Sequence, residues 1–253
     1  MRILVGRARH QARALSAELR QLGATVVEIP FIEIRKPRSF RPLDTALTNL
    51  AGYDWLILTS VNGVEAMWER MKKRRLNNSV LSHLHIAAIG PATRKAIEQH
   101  GSAVDVVPKE YVAESVVRSL KNRVKGKRVL LVRAKLARDV IPEELRRAGA
   151  RVDVVEAYET VVPQGSRGRL QATLKHAGKR PHVVTFTSSS TVRNFVELLG
   201  GKRARDRALA GIRMASIGPV TSATLREFGF SVDISAKEFT IPGLVQAIVA
   251  DGG

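Results

Sequence analysis

The chain says the same thing twice. "IGPATRKAIEQHGSAVDVV" runs from Ile89 to Val107, and "IGPVTSATLREFGFSVDIS" runs from Ile217 to Ser235, 128 positions later. At that offset Thr59-Ser60 faces Thr187-Ser188, Val64 faces Val192 and Asp105 faces Asp233. Nearer the start the offset is 126: Arg2-Ile3-Leu4 faces Arg128-Val129-Leu130, Arg7-Ala8 faces Arg133-Ala134, and Gly23-Ala24 faces Gly149-Ala150. A near-constant offset across most of a 253-residue chain predicts two related structural units.

Each half reads strand, helix, strand, strand, helix, strand, helix, strand, helix. The segments beginning at Ile3 (ILVGRA) and Val129 (VLLVRA) are short apolar runs of buried-strand type. So are Asp54–Leu58 (DWLIL) and His182–Phe186 (HVVTF), each followed by Thr-Ser, and Ile86–Ile89 and Met214–Ile217, each running into Gly-Pro. Residues 11–22 and 139–148 have helical spacing and stop before Gly23 and Gly149, as a glycine past a helix end favours. Strands alternating with helices across short loops predict an α/β fold with parallel sheets covered on both faces, hence two flavodoxin-like units.

One segment of each half departs from this plan. Val26–Ile34 (VVEIPFIEI) and Val152–Val162 (VDVVEAYETVV) are long for strands of small α/β domains. They read either as strands that leave one domain and enter the other, paired as a two-stranded linker, or as ordinary second strands followed by loops.

In open parallel sheets, ligands sit beyond the carboxyl ends of the strands. Four matched loops occupy such places: Thr59-Ser60, Gly90-Pro91-Ala92-Thr93, Thr187-Ser188 and Gly218-Pro219-Val220-Thr221. Ser and Thr cap helices, and Pro suits the first helical position because the N–H it lacks would go unbonded there. Such a loop leaves exposed N–H groups and a partial positive charge at a helix start, fit for a carboxylate or phosphate. Any one of them reads equally as a plain cap. If the two domains face each other, four together line one cleft for a ligand with several acidic groups. Arg7 and Arg133, just past the matched first strands, either bind anions or solvate strand ends.

Composition agrees with an acidic ligand. The net charge is +19, from 42 Lys and Arg against 23 Asp and Glu, and the basic runs are Lys72–Arg75, Lys121–Arg128 and Lys202–Arg207. Charge of this sign attracts nucleic acid, acidic headgroups or a polycarboxylate, although each run by itself is an ordinary solvated face. Aromatics, at 5%, do not interleave with the basic runs, which argues against a platform for single-stranded nucleic acid. Cysteine is absent, so disulfides, thiolate catalysis and thiolate-bound zinc are excluded. No apolar run approaches the roughly 20 residues that span a bilayer, and MRILVGRARH carries no signal-peptide pattern.

The familiar catalytic signatures are missing: no dinucleotide-binding glycine motif, no phosphate-binding P-loop, no H-E-x-x-H and no G-x-S-x-G elbow. The six His are scattered, and His83-x-His85 lacks carboxylate neighbours, so no metal site is expected. Tyr158, one of three Tyr, lies in the suspected crossover segment. It reads as a weak general acid or as an interface aromatic with a satisfied hydroxyl.

The order and spacing of "LTSVNGVEAM", "IGPATRKAI", "VEAYETV", "VTFTSSSTVRNF", "IGPVTSATL" and "FTIPGLVQAI" resemble the uroporphyrinogen-III synthase family over essentially the whole chain. The resemblance implies two α/β domains joined by a two-stranded β-ladder linker. One domain would comprise 1–35 with 163–253 and the other 36–162, with linker strands near 26–36 and 152–163. It implies the linear tetrapyrrole hydroxymethylbilane, with eight carboxylates, as a small-molecule polycarboxylate substrate. Its hydroxymethyl group loses its hydroxyl as water, and the macrocycle closes with inversion of ring D through a spiro intermediate. Carried onto this chain, the family's conserved tyrosine falls on Tyr158 as proton donor. Its substrate-binding positions fall on Thr59, Ser60, Gly90, Thr93, Thr187, Ser188, Gly218 and Thr221, with Arg213 where relatives carry Lys; Arg7 joins these candidates only by its place past the first strand. The resemblance further implies no cofactor or metal, no nucleic-acid or membrane partner, a cytoplasmic setting and a monomer. The basic runs leave room for transient contact with the preceding pathway enzyme. A two-domain binding protein for a polyanion, without chemistry, would share the anion-ready loops, and product analysis separates the two readings.

Overall fold

The computed structural model describes residues 1–200 and 208–251, so the basic run Lys202–Arg207 lies outside the described residues. In chain order the elements begin with β1 (Arg2–Val5), α1 (Arg9–Gln21) and β2 (Thr25–Glu28). There follow β3 (Glu33–Arg35), α2 (Arg41–Thr48), β4 (Trp55–Leu58), α3 (Val61–Lys73), β5 (His85–Ala88) and α4 (Pro91–Gln99). Next are α5 (Ala113–Leu120), β6 (Arg128–Ala134), α6 (Val140–Arg147) and β7 (Arg151–Val161). The chain ends with α7 (Ser166–Lys175), β8 (Val183–Phe186), α8 (Ser189–Leu199), β9 (Arg213–Ser216), α9 (Pro219–Glu227), β10 (Ile234–Ser235) and α10 (Ile241–Asp251). Two compact units result, one of Met1–Ile34 with Val161–Gly253 and the other of Arg35–Thr160.

The first unit holds a sheet in the order β10-β9-β8-β1-β2, with β1, β2, β8, β9 and β10 in parallel pairings. Numbered within the unit this is 5-4-3-1-2, the flavodoxin order. The second unit orders its sheet β3-β7-β6-β4-β5, and Val106 adds a parallel bridge to Ala87 beyond β5. Without β3 it is the same sheet with its strands permuted in the chain: β6 and β7 stand for β1 and β2, while β4, β5 and Val106 stand for β8, β9 and β10. The duplication holds to single residues. Ala87 faces Val106 as Ala215 faces Ile234. Asp105 accepts from the Ile86 amide at 2.7 Å, and Asp233 from the Met214 amide at 2.7 Å.

The apolar runs form strands because both their faces are buried. In β4 and β6, Leu56, Leu58, Leu130 and Val132 enter one core, while Trp55, Ile57, Val129 and Leu131 enter another on the opposite face. In β8, Val184 and Phe186 face one core and Val183 the other. This period of two lets every residue of a strand like WLIL be apolar. At the close of α1 and α6, Gly23 and Gly149 adopt φ of +80° and +88°, a left-handed conformation that stops each helix.

The two suspected crossover segments differ from each other. Arg151–Val161 is one 11-residue strand. Val26–Ile34 is not one strand: β2 ends at Glu28, and β3 begins at Glu33 in the other sheet. Pro30 has no N–H for the ladder and breaks the run. The break is pinned in the first unit, where the Ile29 and Phe31 amides donate to the carbonyls of Val5 and Gly6. Ser166 Oγ donates to the Pro30 carbonyl at 2.8 Å, and the Phe31 ring packs on Phe186 and Phe195. The two passages between units fall in β3 and β7, which are neighbours in one sheet.

Candidate active site

At the carboxyl edge of the second unit the strand ends gather Tyr158, Arg133, the Thr59-Ser60 turn and the Gly90 turn. Tyr158 arrives there through an irregularity. Along β7, Val152 and Val154 face one core and Val155 the other, until the register with β6 shifts between Arg133 and Ala134. Ala157 and the next residue, Tyr158, then both pack on the core beneath α3. A bulge of this kind re-aims a side chain without ending the strand. Tyr158 Oη lies 3.0 Å from Ser60 Oγ and donates to it. Burial raises the phenol's pKa above 10, opposed by hydrogen bonds to Ser60 and Asn62.

Ser60 is itself the N-cap of α3, with extended backbone and Oγ accepting from the Gly63 amide at 3.1 Å. Thr59 Oγ1 reaches the Val132 carbonyl at 3.5 Å. Beside this turn, Gly90 starts α4 with Pro91 in its first turn. The leading N–H groups of α3 and α4 have no intrahelical acceptor, and the positive ends of both helices meet at this edge.

The first unit repeats the framework without the phenol. Ser188 caps α8, accepting from the Thr191 amide at 3.3 Å, and Thr191 Oγ1 completes a capping box. Gly218 starts α9, its amide donating to buried Ser216 Oγ at 3.3 Å. The stretch corresponding to Tyr158 in this unit, Ile29-Pro30-Phe31-Ile32, has no hydroxyl.

A scan against family descriptions matches residues 13–246 to one described as "Uroporphyrinogen-III synthase HemD". The chain belongs to the uroporphyrinogen-III synthase family. It is 37% identical over 249 residues to a uroporphyrinogen-III synthase of Synechococcus elongatus, covering 97% of this chain and 93% of the relative. It is 31% identical to that of Chlorobaculum parvum, covering 97% of each. Among solved structures, a uroporphyrinogen III synthase mutant from Thermus thermophilus shares the fold with TM-score 0.76 at 20% identity, covering 99% of this chain and 98% of that one. The Helicobacter pylori uroporphyrinogen-III synthetase does so with TM-score 0.62 at 17% identity, covering 99% of each chain.

Within this synthase-family framework the sequence-derived residues fall into distinct groups. Tyr158, Thr59, Ser60, Gly90 and Thr93 belong to the second unit, and Arg7, Thr187, Ser188, Gly218 and Thr221 to the first. Thr93 and Thr221 are each only 4% exposed, on the buried sides of α4 and α9, so these turns offer backbone N–H rather than hydroxyl groups. Arg213 is not at the carboxyl edge. It opens β9 at the amino end, where its guanidinium is bound to the carboxylate of Asp251. A cation in sequence proximity to Gly218 is thus separated from it by the length of the strand.

The matched arginines also diverge. Arg133 donates to the Arg138 carbonyl at 3.1 Å and to Asp139 Oδ1 at 2.6 Å. Arg7 has no such supply among the described residues, and burial lowers its pKa; the Nε of each arginine is buried without a hydrogen-bond partner there. The helices explain the difference. In the second unit a loop precedes α6 and turns its N-cap residue, Asp139, back to Arg133, whereas α1 begins at Arg9, two residues past Arg7.

Two further residues belong to the framework. A Cβ at Gly90 would lie 3.1 Å from the Tyr111 ring, and one at Gly218 would lie 3.0 Å from the Phe239 ring. These rings are 39% and 44% exposed. Their signal was in the repeat, as Lys109-Glu110-Tyr111 against Lys237-Glu238-Phe239 at the same offset of 128. The remaining tyrosine, Tyr53, donates to Asp153 at 2.7 Å under Arg128; burial first, and then the Asp153 carboxylate, push its pKa up to about 12 against the opposing effect of Arg128. It borders a cavity of about 540 Å³ with Ser39, Arg41 and Asp153. Among the described residues no group of three metal-binding side chains is assembled, and no helix is long and apolar enough to cross a membrane.

Proposed function

We propose that this chain catalyses the cyclisation of hydroxymethylbilane to uroporphyrinogen III. The observation that supports this most directly is the Tyr158 hydroxyl, delivered by a strand bulge to the cap of α3 at an edge rich in free N–H groups. In this reading the bilane's acetates and propionates bind the helix starts at Thr59-Ser60, Gly90–Thr93, Thr187-Ser188 and Gly218–Thr221, and Arg7 takes a further carboxylate. Aligned N–H donors suit carboxylates because their dipoles are already oriented before the ligand arrives.

The reaction needs little covalent help. The pyrrole nitrogen supplies the electron pair that expels the hydroxyl, and the protein supplies a proton to the departing oxygen. The resulting azafulvene is attacked by the substituted carbon of the terminal ring, giving a spiro intermediate that fragments and recloses with that ring inverted. Direct closure at the unsubstituted carbon gives the symmetric type I isomer without an enzyme. Holding the terminal ring in the geometry for spiro attack is therefore as important as accelerating departure.

The test is an assay coupled to enzymatic hydroxymethylbilane production, with the uroporphyrinogen isomers oxidised and separated. Type III product above the spontaneous rate supports the reading, and only type I at the spontaneous rate ends it. Tyr158→Phe should lower kcat about 10²-fold while leaving KM within a few-fold, because general acid catalysis contributes on that order.

A further inference from the structure

We propose that Ser60 is the group that hands the proton to the departing hydroxyl, with Tyr158 behind it as the proton's source, so that the two hydroxyls form a relay. This rests on the cyclisation reading above and concerns how that reaction is run.

The inference comes from counting protons and lone pairs at one oxygen. Tyr158 has a single hydroxyl proton, directed at Ser60 Oγ over 3.0 Å. Ser60 Oγ accepts that bond and a second from the Gly63 amide at 3.1 Å. Both of its lone pairs are then engaged, and its own proton must point away from Tyr158 and from the helix. In a chain of hydrogen bonds, an oxygen that accepts becomes a better donor, so two accepted bonds strengthen this one. For Tyr158 to donate directly it would have to break its bond to Ser60 and turn. Through the relay it donates along the bond it already makes.

The duplicated unit provides an internal comparison. Ser188 has the same capping role and accepts from the Thr191 amide, but its second neighbour is Thr191 Oγ1 at 3.5 Å. Capping therefore does not require the tyrosine. What the second unit adds is a proton source behind a serine whose structural duty is already complete.

The step balances as follows. The C–O bond of the hydroxymethyl carbon breaks and its electron pair leaves with oxygen. That oxygen takes the Ser60 proton, Ser60 Oγ takes the phenolic proton, and water departs. The phenolate left on Tyr158 lies at the N-terminal end of α3, where the helix dipole favours negative charge. The proton released from the terminal ring's unsubstituted α-carbon at reclosure returns through Ser60 to Tyr158.

Three substitutions at Ser60 separate relay from cap. Ser60→Ala removes both, Ser60→Asn keeps a capping oxygen but cannot pass a proton on, and Ser60→Thr keeps both. The relay predicts that S60A and S60N each lose about 10²-fold in kcat with KM within threefold, that S60N melts within about 2 °C of wild type, and that S60T recovers most of the rate. Because the residues act as a unit, S60A/Y158F should be no slower than either single variant. The wild-type rate in mixed light and heavy water should follow a curved, two-proton dependence. S60N turning over at more than a third of the wild-type rate, or a linear isotope dependence, overturns the relay. Formation of type III isomer by wild type under the same conditions shows separately that the cyclisation reading stands.

Discussion

Arg7 gives the duplication its most direct test, because the two units make opposite predictions for the same substitution. Among the described residues the Arg7 Nε is buried and unpaired, and unlike Arg133 its terminal nitrogens have no acceptor either. An unmet buried donor costs about 1–3 kcal/mol, more when it is charged. Arg7→Met keeps most of the stem's apolar packing and removes that cost. Allowing for some lost packing, the variant should be about 1 kcal/mol more stable, a rise in Tm of about 2–4 °C for a chain of this size. The same change should weaken the reaction. A charge-assisted hydrogen bond to a substrate carboxylate is worth about 1.5–3 kcal/mol, so kcat/KM should fall about 10- to 100-fold.

Arg133→Met should behave the other way. Its Nε is buried and unpaired too among the described residues, but its Nη1 and Nη2 donate to the Arg138 carbonyl and Asp139, so truncation leaves those acceptors unpaired and Tm should fall. Asp139 is 60% exposed, so water takes over its carboxylate and the loss should stay near 1 kcal/mol. Scanning calorimetry and initial rates on both variants are sufficient. If Arg7→Met is destabilised as Arg133→Met is, and retains kcat/KM within twofold, then Arg7 is a strand-end solvating group and no substrate carboxylate binds there.

Other outcomes follow from individual contacts. Asp44 is held below its ordinary pKa by hydrogen bonds from Arg70, whose Nε and Nη2 lie 2.8 and 2.6 Å away. The pair's stabilisation, about 1 kcal/mol after screening, is fully present above pH of about 4, the unfolded carboxylate value, and is lost as pH falls through the lower folded value. Acid titration of urea stability should show this loss in wild type and not in Asp44→Asn. Arg75 is a non-glycine residue at φ 57°, so Arg75→Gly should raise stability by about 0.5–1 kcal/mol, read as a higher urea midpoint at unchanged slope. Gly218→Ala would press a methyl to 3.0 Å from the Phe239 ring and should reduce kcat/KM through a displaced turn, whereas Thr93→Ala should leave activity within a few-fold, because in the proposed reading the turn offers backbone N–H and the Thr93 hydroxyl is buried.

The repeat made much of the fold legible before any coordinates, since a fixed offset carries strands, caps and helix stops together. It was legible at the site for the same reason: Thr59-Ser60 and Thr187-Ser188 are equivalent caps because their sequence positions are equivalent. What sequence could not supply was the direction of side chains at strand ends. Arg213 sits five residues before Gly218, yet a strand lies between them and puts them at opposite edges of the sheet. Arg7 and Arg133 match in sequence, but whether an arginine's terminal nitrogens find acceptors depends on where the next helix begins, and α6 starts later than α1 relative to the repeat. Val26–Ile34 has strand-like composition throughout, and only the missing N–H of Pro30 marks the break.

The same connectivity explains why the chemistry is not duplicated. In the first unit the strand after α1 ends at Glu28, and the chain turns at Pro30 to depart. In the second unit the corresponding strand is the return path, and it runs to Val161. Its extra length accommodates a bulge at Arg133/Ala134 without losing the pairing on the amino-terminal side. A short strand ending in a proline turn has no room for that irregularity, so it cannot place two consecutive residues on one core face. The tyrosine's position is therefore a consequence of permuting the second unit, while the serine it meets belongs to the ancestral cap common to both. Removing the bulge should then disable the site even with every side chain retained. Inserting one alanine between Arg133 and Ala134 would give Ala157 a partner, restore strict alternation and turn Tyr158 away from Ser60. Type III formation should fall to the Tyr158→Phe level, and activity near wild type in a folded insertion variant would refute this account of how the tyrosine is placed.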